Sequence, residues 1–106
     1  MVAQVSPREL KARLDAGERP DILDVREAWE LAVAQLPEVI HIPMGELARR
    51  MPELDPGREL IVMCRSGGRS MQVAQSLESR GFERIANLDG GILAWSRDVD
   101  PSVAVY

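Results

Sequence analysis

The sequence predicts an α/β protein, with helices on both faces of a five-stranded, mainly parallel sheet in three layers. Short apolar runs alternate with helical stretches along the whole chain, the order from which parallel sheets are built. One run, Leu60-Ile61-Val62-Met63 between Glu59 and Cys64, is apolar without alternation, as expected of a central strand buried on both faces. A length of 106 residues suits one domain, residues 1–106, around one core.

Each element has its own signal. Val2–Val5 reads as a first strand. Ser6-Pro7-Arg8-Glu9 has the form of a capping box opening a helix, with Pro7 at its first position. Leu10 and Leu14 give that helix an apolar stripe, and Gly17 ends it. Ile22–Val25 is a second strand, and Glu27–Ala34 a short helix closed before Pro37. Val39–Ile42 is a third strand, ended by Pro43. Gly45–Arg50 has room for a helical turn or two, and Asp55-Pro56-Gly57 is a turn. After Leu60–Met63, Ser70–Arg80 is helical, with Met71, Val73, Ala74 and Leu77 spaced for burial. Gly81 stands at the left-handed stop, which would fold Phe82 back onto Leu77. Ile85–Leu88 is a fifth strand. A last helix runs from Gly91 to about Arg97, and a tail follows from Pro101 to Tyr106.

Composition narrows the class of function. Apolar residues make up 45% and charged residues 28%, ordinary for a soluble globular protein. Aromatics are only 4%, so the core must be mainly aliphatic. A net charge of -4 gives no reason to expect nucleic acid or an anionic membrane as partner. No basic flank precedes an apolar run at the amino terminus, and no apolar stretch approaches the roughly 20 residues that span a bilayer. A cytoplasmic location is the expectation. One cysteine forms no internal disulfide, and with one histidine it makes a poor metal site, so neither metal nor cofactor is expected.

The informative segment is Cys64-Arg65-Ser66-Gly67-Gly68-Arg69-Ser70, between the central strand and the next helix. Ligands bind at the carboxyl ends of strands in open α/β sheets. A loop entering a helix there turns several amides inward and adds the positive end of the helix dipole. Gly67 and Gly68 permit the curl, and Arg65 and Arg69 add positive charge. All of these favour an anion, and the nearest is the Cys64 thiolate. Its thiol is expected below the ordinary cysteine value of about 8.5. A thiolate so held can attack a sulfane sulfur, and the persulfide it gains is again an anion in the same cradle. No general base is required, and His41 belongs to another strand. The plainer alternative is a small buried hydrophobe, the commoner fate of a lone cysteine. The glycine loop and its flanking arginines outweigh it.

These residues resemble the rhodanese homology domain in its single-domain form, over nearly the whole chain. Cys64-Arg-Ser-Gly-Gly-Arg-Ser70 is similar to that family's active-site loop, Asp24-Val-Arg-Glu27 to its strand-end motif, and Asn87-Leu-Asp-Gly-Gly-Ile-Leu-Ala-Trp95 to the opening of its final helix. The resemblance implies a sulfurtransferase of the thiosulfate:cyanide type. Cys64 would bear the persulfide, and Arg65, Ser66, Gly67, Gly68 and Arg69 would bind substrate. It implies a small-molecule sulfur donor, a thiol or cyanide acceptor and, as an alternative, relay to a protein acceptor. The chain departs from the family pattern Gly-His-Ile-Pro-Gly-Ala, having Gln35 for the histidine and Glu38 and Val39 for the two small residues.

Other residues carry structural expectations. Asp24 and Arg26 should fix loops through hydrogen bonds and an ion pair, with Glu30 as a candidate partner. Asp89 is expected as an N-cap, and Trp29 and Trp95 as packing residues, with one of them walling the pocket as the alternative. Arg49-Arg50 reads as a solvated face, with docking of an acidic protein as the alternative. Two rival functions remain. A phosphatase or arsenate reductase would use a Cys-x5-Arg loop, whereas residues 65 to 68, four in number, separate Cys64 from Arg69. A non-catalytic binding module of the same fold would be favoured by a missing cysteine or a broken loop, and neither is seen.

Overall fold

The Ser6–Glu9 capping box forms in full in the computed structural model, which describes residues 1–106. The Glu9 amide donates to Ser6 Oγ at 3.1 Å and the Ser6 amide donates to Glu9 Oε1 at 3.2 Å. It opens α1 (Pro7–Asp15), with Pro7 in the first turn, where no amide bond is lost. The other helices are α2 (Ala28–Val33), α3 (Leu47–Arg50), α4 (Gly68–Glu78) and α5 (Gly91–Asp98). At the end of α4 the Phe82 amide donates to the Leu77 carbonyl and the Gly81 amide to Glu78, both at 3.2 Å. That is the Schellman pair of bonds, and Phe82 and Leu77 share one core cluster.

Five strands form the sheet: β1 (Ala3–Val5), β2 (Asp21–Asp24), β3 (Ile40–His41), β4 (Leu60–Met63) and β5 (Ile85–Leu88). Their order is β1-β5-β4-β2-β3. Every pairing is parallel, and β4 lies at the centre, buried along its length. Side chains alternate faces along a strand. Leu60, Val62 and, one step beyond the strand, Cys64 join the cluster with Leu47 of α3 and Val73 and Leu77 of α4. Ile61 and Met63 join Leu10 of α1 and Ile92 and Trp95 of α5 on the other face. The parity of β4 therefore delivers the Cys64 side chain to the α4 side. No helix is long and apolar enough to cross a membrane.

Three stretches depart from expectation. β3 is two residues rather than four, and Pro43 beyond it has no amide to extend the ladder. Pairing persists around it, with the Ile42 amide on the Asp24 carbonyl and the Met44 amide on the Val25 carbonyl. The segment expected as Gly45–Arg50 helix is a 3-10 turn at Met44–Glu46 followed by α3, then a second 3-10 turn at Met51–Glu53. α4 begins two residues ahead of Ser70.

Glu38 is the one non-glycine residue with positive φ, at 59°. It stands where the resembled pattern has glycine. A left-handed L-residue costs about 1–2 kcal/mol, and glycine's extra freedom when unfolded returns about 0.4–1 kcal/mol of that. Glu38→Gly is expected to raise the thermal midpoint by roughly 2–6 °C, measured by calorimetry. A lowered midpoint would show that the Glu38 side chain offsets its backbone strain.

Candidate active site

Cys64 is the first residue past β4 and is 1% exposed. The loop after it curls so that donors converge on its sulfur. The Gly67 amide donates to Sγ at 3.1 Å, and Ser70 Oγ lies 3.3 Å from Sγ. Gly67 caps α4 at φ 108°, a conformation that L side chains rarely adopt. Gly68 has no such need and is simply the first residue of α4. Ser66 contributes its amide, while its side chain faces solvent.

The first turn of α5 holds the other side of the loop. The Ile92 amide donates to the Cys64 carbonyl at 3.0 Å, and the Leu93 amide to the Arg65 carbonyl at 3.1 Å. These bonds satisfy amides that a helix start leaves open. They also anchor the carbonyls of Cys64 and Arg65 on α5 while amides of the same loop turn to the sulfur.

Burial pushes the Cys64 thiol up, but the Ser70 hydroxyl and the amides of Ser70, Gly67 and Ser66 outweigh it, and the net shift is down. The direction expected from the sequence holds, while the main contributors are loop and helix donors. The arginines make their hydrogen bonds elsewhere. Arg69 spans both oxygens of Glu30, each at 2.8 Å, and acts on Cys64 only across space. Arg65 donates from Nε at 2.7 Å, and from Nη2, to the main-chain oxygen of Tyr106, with its guanidinium 5.3 Å from the Tyr106 ring centre.

Behind the loop, Asp24 and Arg26 make the structural ion pair expected of them, within a wider network of partners distant in the chain. Tyr106 Oη donates to Glu30 Oε1 and accepts from Arg26 Nη1, both at 2.9 Å. Arg26 is paired with Asp24, 2.7 Å between Nη2 and Oδ2, with both side chains fully buried. Glu30 is thus not the ionic partner of Arg26, which meets only its main-chain oxygen at 3.4 Å. Ser70 Oγ lies 2.5 Å from Asn87 Oδ1, and Asn87 Nδ2 donates to Gln4 Oε1 at 3.1 Å and the Gly67 carbonyl at 3.3 Å. His41 Nε2 meets the Arg26 carbonyl at 2.7 Å, away from the sulfur.

Two structural expectations need correction. Asp89 is exposed, and the N-cap of α5 is Gly90 with no side-chain cap. The left-handed entry through Gly90 and Gly91 replaces a side-chain cap. Trp95 is core, but Trp29 is 63% exposed and stands edge-on to the Tyr106 ring, 6.0 Å between centres. Arg49 and Arg50 pair with Glu46 and Glu53 on a solvated turn, as expected.

The Arg69 guanidinium is the largest influence on Glu30 and holds its carboxyl at about 2, against an ordinary 4.5. A carboxylate depressed on folding adds stability that is complete above its unfolded value and lost as pH falls through its folded value. Arg69 is partly exposed, so the contribution is discounted to about 2 kcal/mol. Glu30→Gln is expected to lose about that much at neutral pH. It should also flatten the fall in stability between pH 4.5 and about 2, followed by urea unfolding. Parallel pH profiles for the two proteins would contradict this.

A model of the rhodanese-like domain matches residues 6–98. The chain belongs to the rhodanese-like domain family. A sulfurtransferase of Allochromatium vinosum is 36% identical over 104 residues, covering 98% of this chain and 97% of that one. The Bacillus subtilis protein named “Putative sulfur carrier protein YrkF” is 36% identical over 95 residues, 90% of this chain but 51% of that protein. The crystal structure of a rhodanese-like domain protein from Staphylococcus aureus superimposes with a TM-score of 0.85 at 27% identity, covering 99% of both chains. The rhodanese-like domain described here is thus of a sulfurtransferase or sulfur carrier family.

Proposed function

We propose that this rhodanese-like domain transfers sulfane sulfur through a persulfide on Cys64, with thiosulfate as a competent donor and cyanide or a thiol as acceptor. The observation that carries the reading is the convergence of the Gly67 amide and the Ser70 hydroxyl on Cys64 Sγ at the end of β4. The thiolate attacks the outer sulfur of thiosulfate. A bond forms between the two sulfurs, the donor's S–S bond breaks, and sulfite leaves with the electron pair. The outer sulfur of the persulfide then passes to cyanide as thiocyanate, or to a thiol as its persulfide, and the Cys64 thiolate returns. Donors aimed at one point stabilise the negative charge on sulfur through both steps. Arg65 lies on the loop rim, where an anionic donor would compete with the Tyr106 main-chain oxygen for its guanidinium. A protein thiol is the alternative acceptor, favoured by the likeness to a protein named for sulfur carriage.

The phosphatase reading has less support. Its arginine must face the oxyanion, whereas Arg69 has both terminal nitrogens on Glu30. Intact mass after incubation with thiosulfate tests the proposal. A gain of one sulfur on Cys64, removed by cyanide or reductant, is expected. Aryl phosphate hydrolysis with no sulfur uptake would replace it with phosphoryl transfer.

A further inference from the structure

Asn87 is a polar residue in a strand of otherwise apolar side chains, Ile85, Ala86 and Leu88, and it is 2% exposed. Burial of an amide side chain needs a reason beyond packing. Its carbonyl oxygen meets the Ser70 hydroxyl at 2.5 Å, and Ser70 is fully buried. The amide orientation is fixed from the other side, because Nδ2 faces the Gly67 carbonyl at 3.3 Å. Turning the amide over would set two oxygens against each other. Asn87 therefore presents an acceptor to Ser70.

A serine hydroxyl has one proton. Three acceptors surround Ser70 Oγ: Asn87 Oδ1 at 2.5 Å, the Gly67 carbonyl at 3.2 Å and Cys64 Sγ at 3.3 Å. The proton cannot serve all three, and the shortest contact is with Asn87. We propose that Asn87 is a positioning residue that governs Cys64 through Ser70. It holds the hydroxyl proton while the sulfur is a thiol and gives it up when the sulfur becomes anionic. In the thiol state Ser70 Oγ is left to accept from the Cys64 S–H. On ionisation, or once a persulfide forms, the hydroxyl turns about its C–O bond and donates to sulfur. The switch is a rotation, with no proton exchanged between residues. Asn87 competes with sulfur for that proton, so it opposes the anion and keeps the resting cysteine less reactive than its loop alone would make it.

Its consequence for sulfur transfer rests on the persulfide reading, whereas thiol reactivity tests it separately. The measurement is the pH profile of Cys64 alkylation by iodoacetamide in the full chain, for the parent, Asn87→Leu, Ser70→Ala and the double variant. Leucine suits the buried strand, and Asn87→Ala serves if Asn87→Leu fails to fold. The charged groups around this end of the sheet are Arg69 with Glu30 of α2, Arg65 on the loop, the Asp24–Arg26 pair at the end of β2, His41 of β3 and Asp89 just past β5. None of them hydrogen-bonds Asn87, so its replacement leaves them in place.

Without Asn87 the Ser70 hydroxyl is free for the thiolate. The alkylation midpoint is expected to move down by about half to one pH unit, the effect of one hydrogen bond. In the Ser70→Ala background the same substitution should move it by nothing. A midpoint that is unchanged or raised in Asn87→Leu overturns the proposal, as does an equal shift with and without Ser70. Alkylation responds to the thiolate whether or not sulfur is transferred. Failure of the persulfide reading would appear instead as no mass gain with thiosulfate in a parent protein that alkylates normally.

Discussion

Cys64→Ser is expected to abolish sulfur transfer, with a loss on the order of a thousandfold or more, while the fold is kept. The loss is chemical. A serine hydroxyl is barely ionised at neutral pH and is a far weaker nucleophile towards sulfur, so the first bond of the cycle does not form. The fold should tolerate the change because the side chain is similar in size and its surroundings already offer hydrogen bonds. The Gly67 amide and the Ser70 hydroxyl that meet Sγ would meet Oγ instead. A stability cost of no more than about 1–2 kcal/mol follows from placing a hydroxyl beside Val62 and Val73 in the cluster that includes Cys64. Thiosulfate:cyanide kinetics and intact mass on the folded variant check both halves. Near-parent turnover in a well-folded Cys64→Ser protein would show that sulfur does not pass through residue 64.

What could be read from the sequence was what is local. β4 lies where its apolar run predicts, because a strand buried on both faces needs an uninterrupted run, and β5 lies where Ile85, Ala86 and Leu88 predict despite Asn87 among them. The Ser6 box and the Gly81 stop also lie where expected, since each is encoded within a few residues. The place of the Cys64 loop between β4 and α4 was legible for the same reason. The wider network behind it was not, because its partners are distant in the chain. Glu30 meets Arg69, Tyr106 meets Arg26, and Gln4 meets Asn87, across separations of 39, 80 and 83 residues. No local pattern announces such pairs. Asn87 did leave a signal in the sequence, a lone amide in an apolar strand whose burial demands partners. Glu30 was a candidate partner for Arg26, but nothing local pointed to Arg69, and the place of Glu30 in α2 is that of any acidic first-turn residue. The hydrogen-bond partners of the two loop arginines were hidden for a related reason. The charge of the arginines was visible in the loop, but the carboxylate and main-chain oxygen that hold them come from elsewhere.

Gly91→Ala is expected to damage both stability and sulfur transfer, although residue 91 lies outside the Cys64 loop. A Cβ at Gly91 would lie 2.5 Å from the carbonyl oxygens of Cys64 and Arg65 and 2.6 Å from the Arg65 carbonyl carbon. All three atoms are backbone, so no side chain can swing aside. The same two carbonyls are held by the amides of Ile92 and Leu93, and retreat from the methyl would break those bonds. Gly91 also has a φ of 61°, which is strained for alanine even in open space. Overpacking and left-handed strain together put the cost at about 3 kcal/mol or more. The relief available is a shift of the Cys64–Arg65 peptide, the segment whose position aims the loop at sulfur. Transfer by the folded fraction should therefore fall as well, by roughly 10- to 100-fold if the loop moves by about 1 Å. Gly68→Ala supplies the control. Nothing lies within 4 Å of its Cβ, its φ is not positive, and it begins α4, so alanine there should be neutral or stabilising by up to about 1 kcal/mol. Urea unfolding and thiosulfate kinetics on both variants make the comparison. Equal stability and equal turnover for the two would mean that the first turn of α5 does not set the geometry of the Cys64 loop.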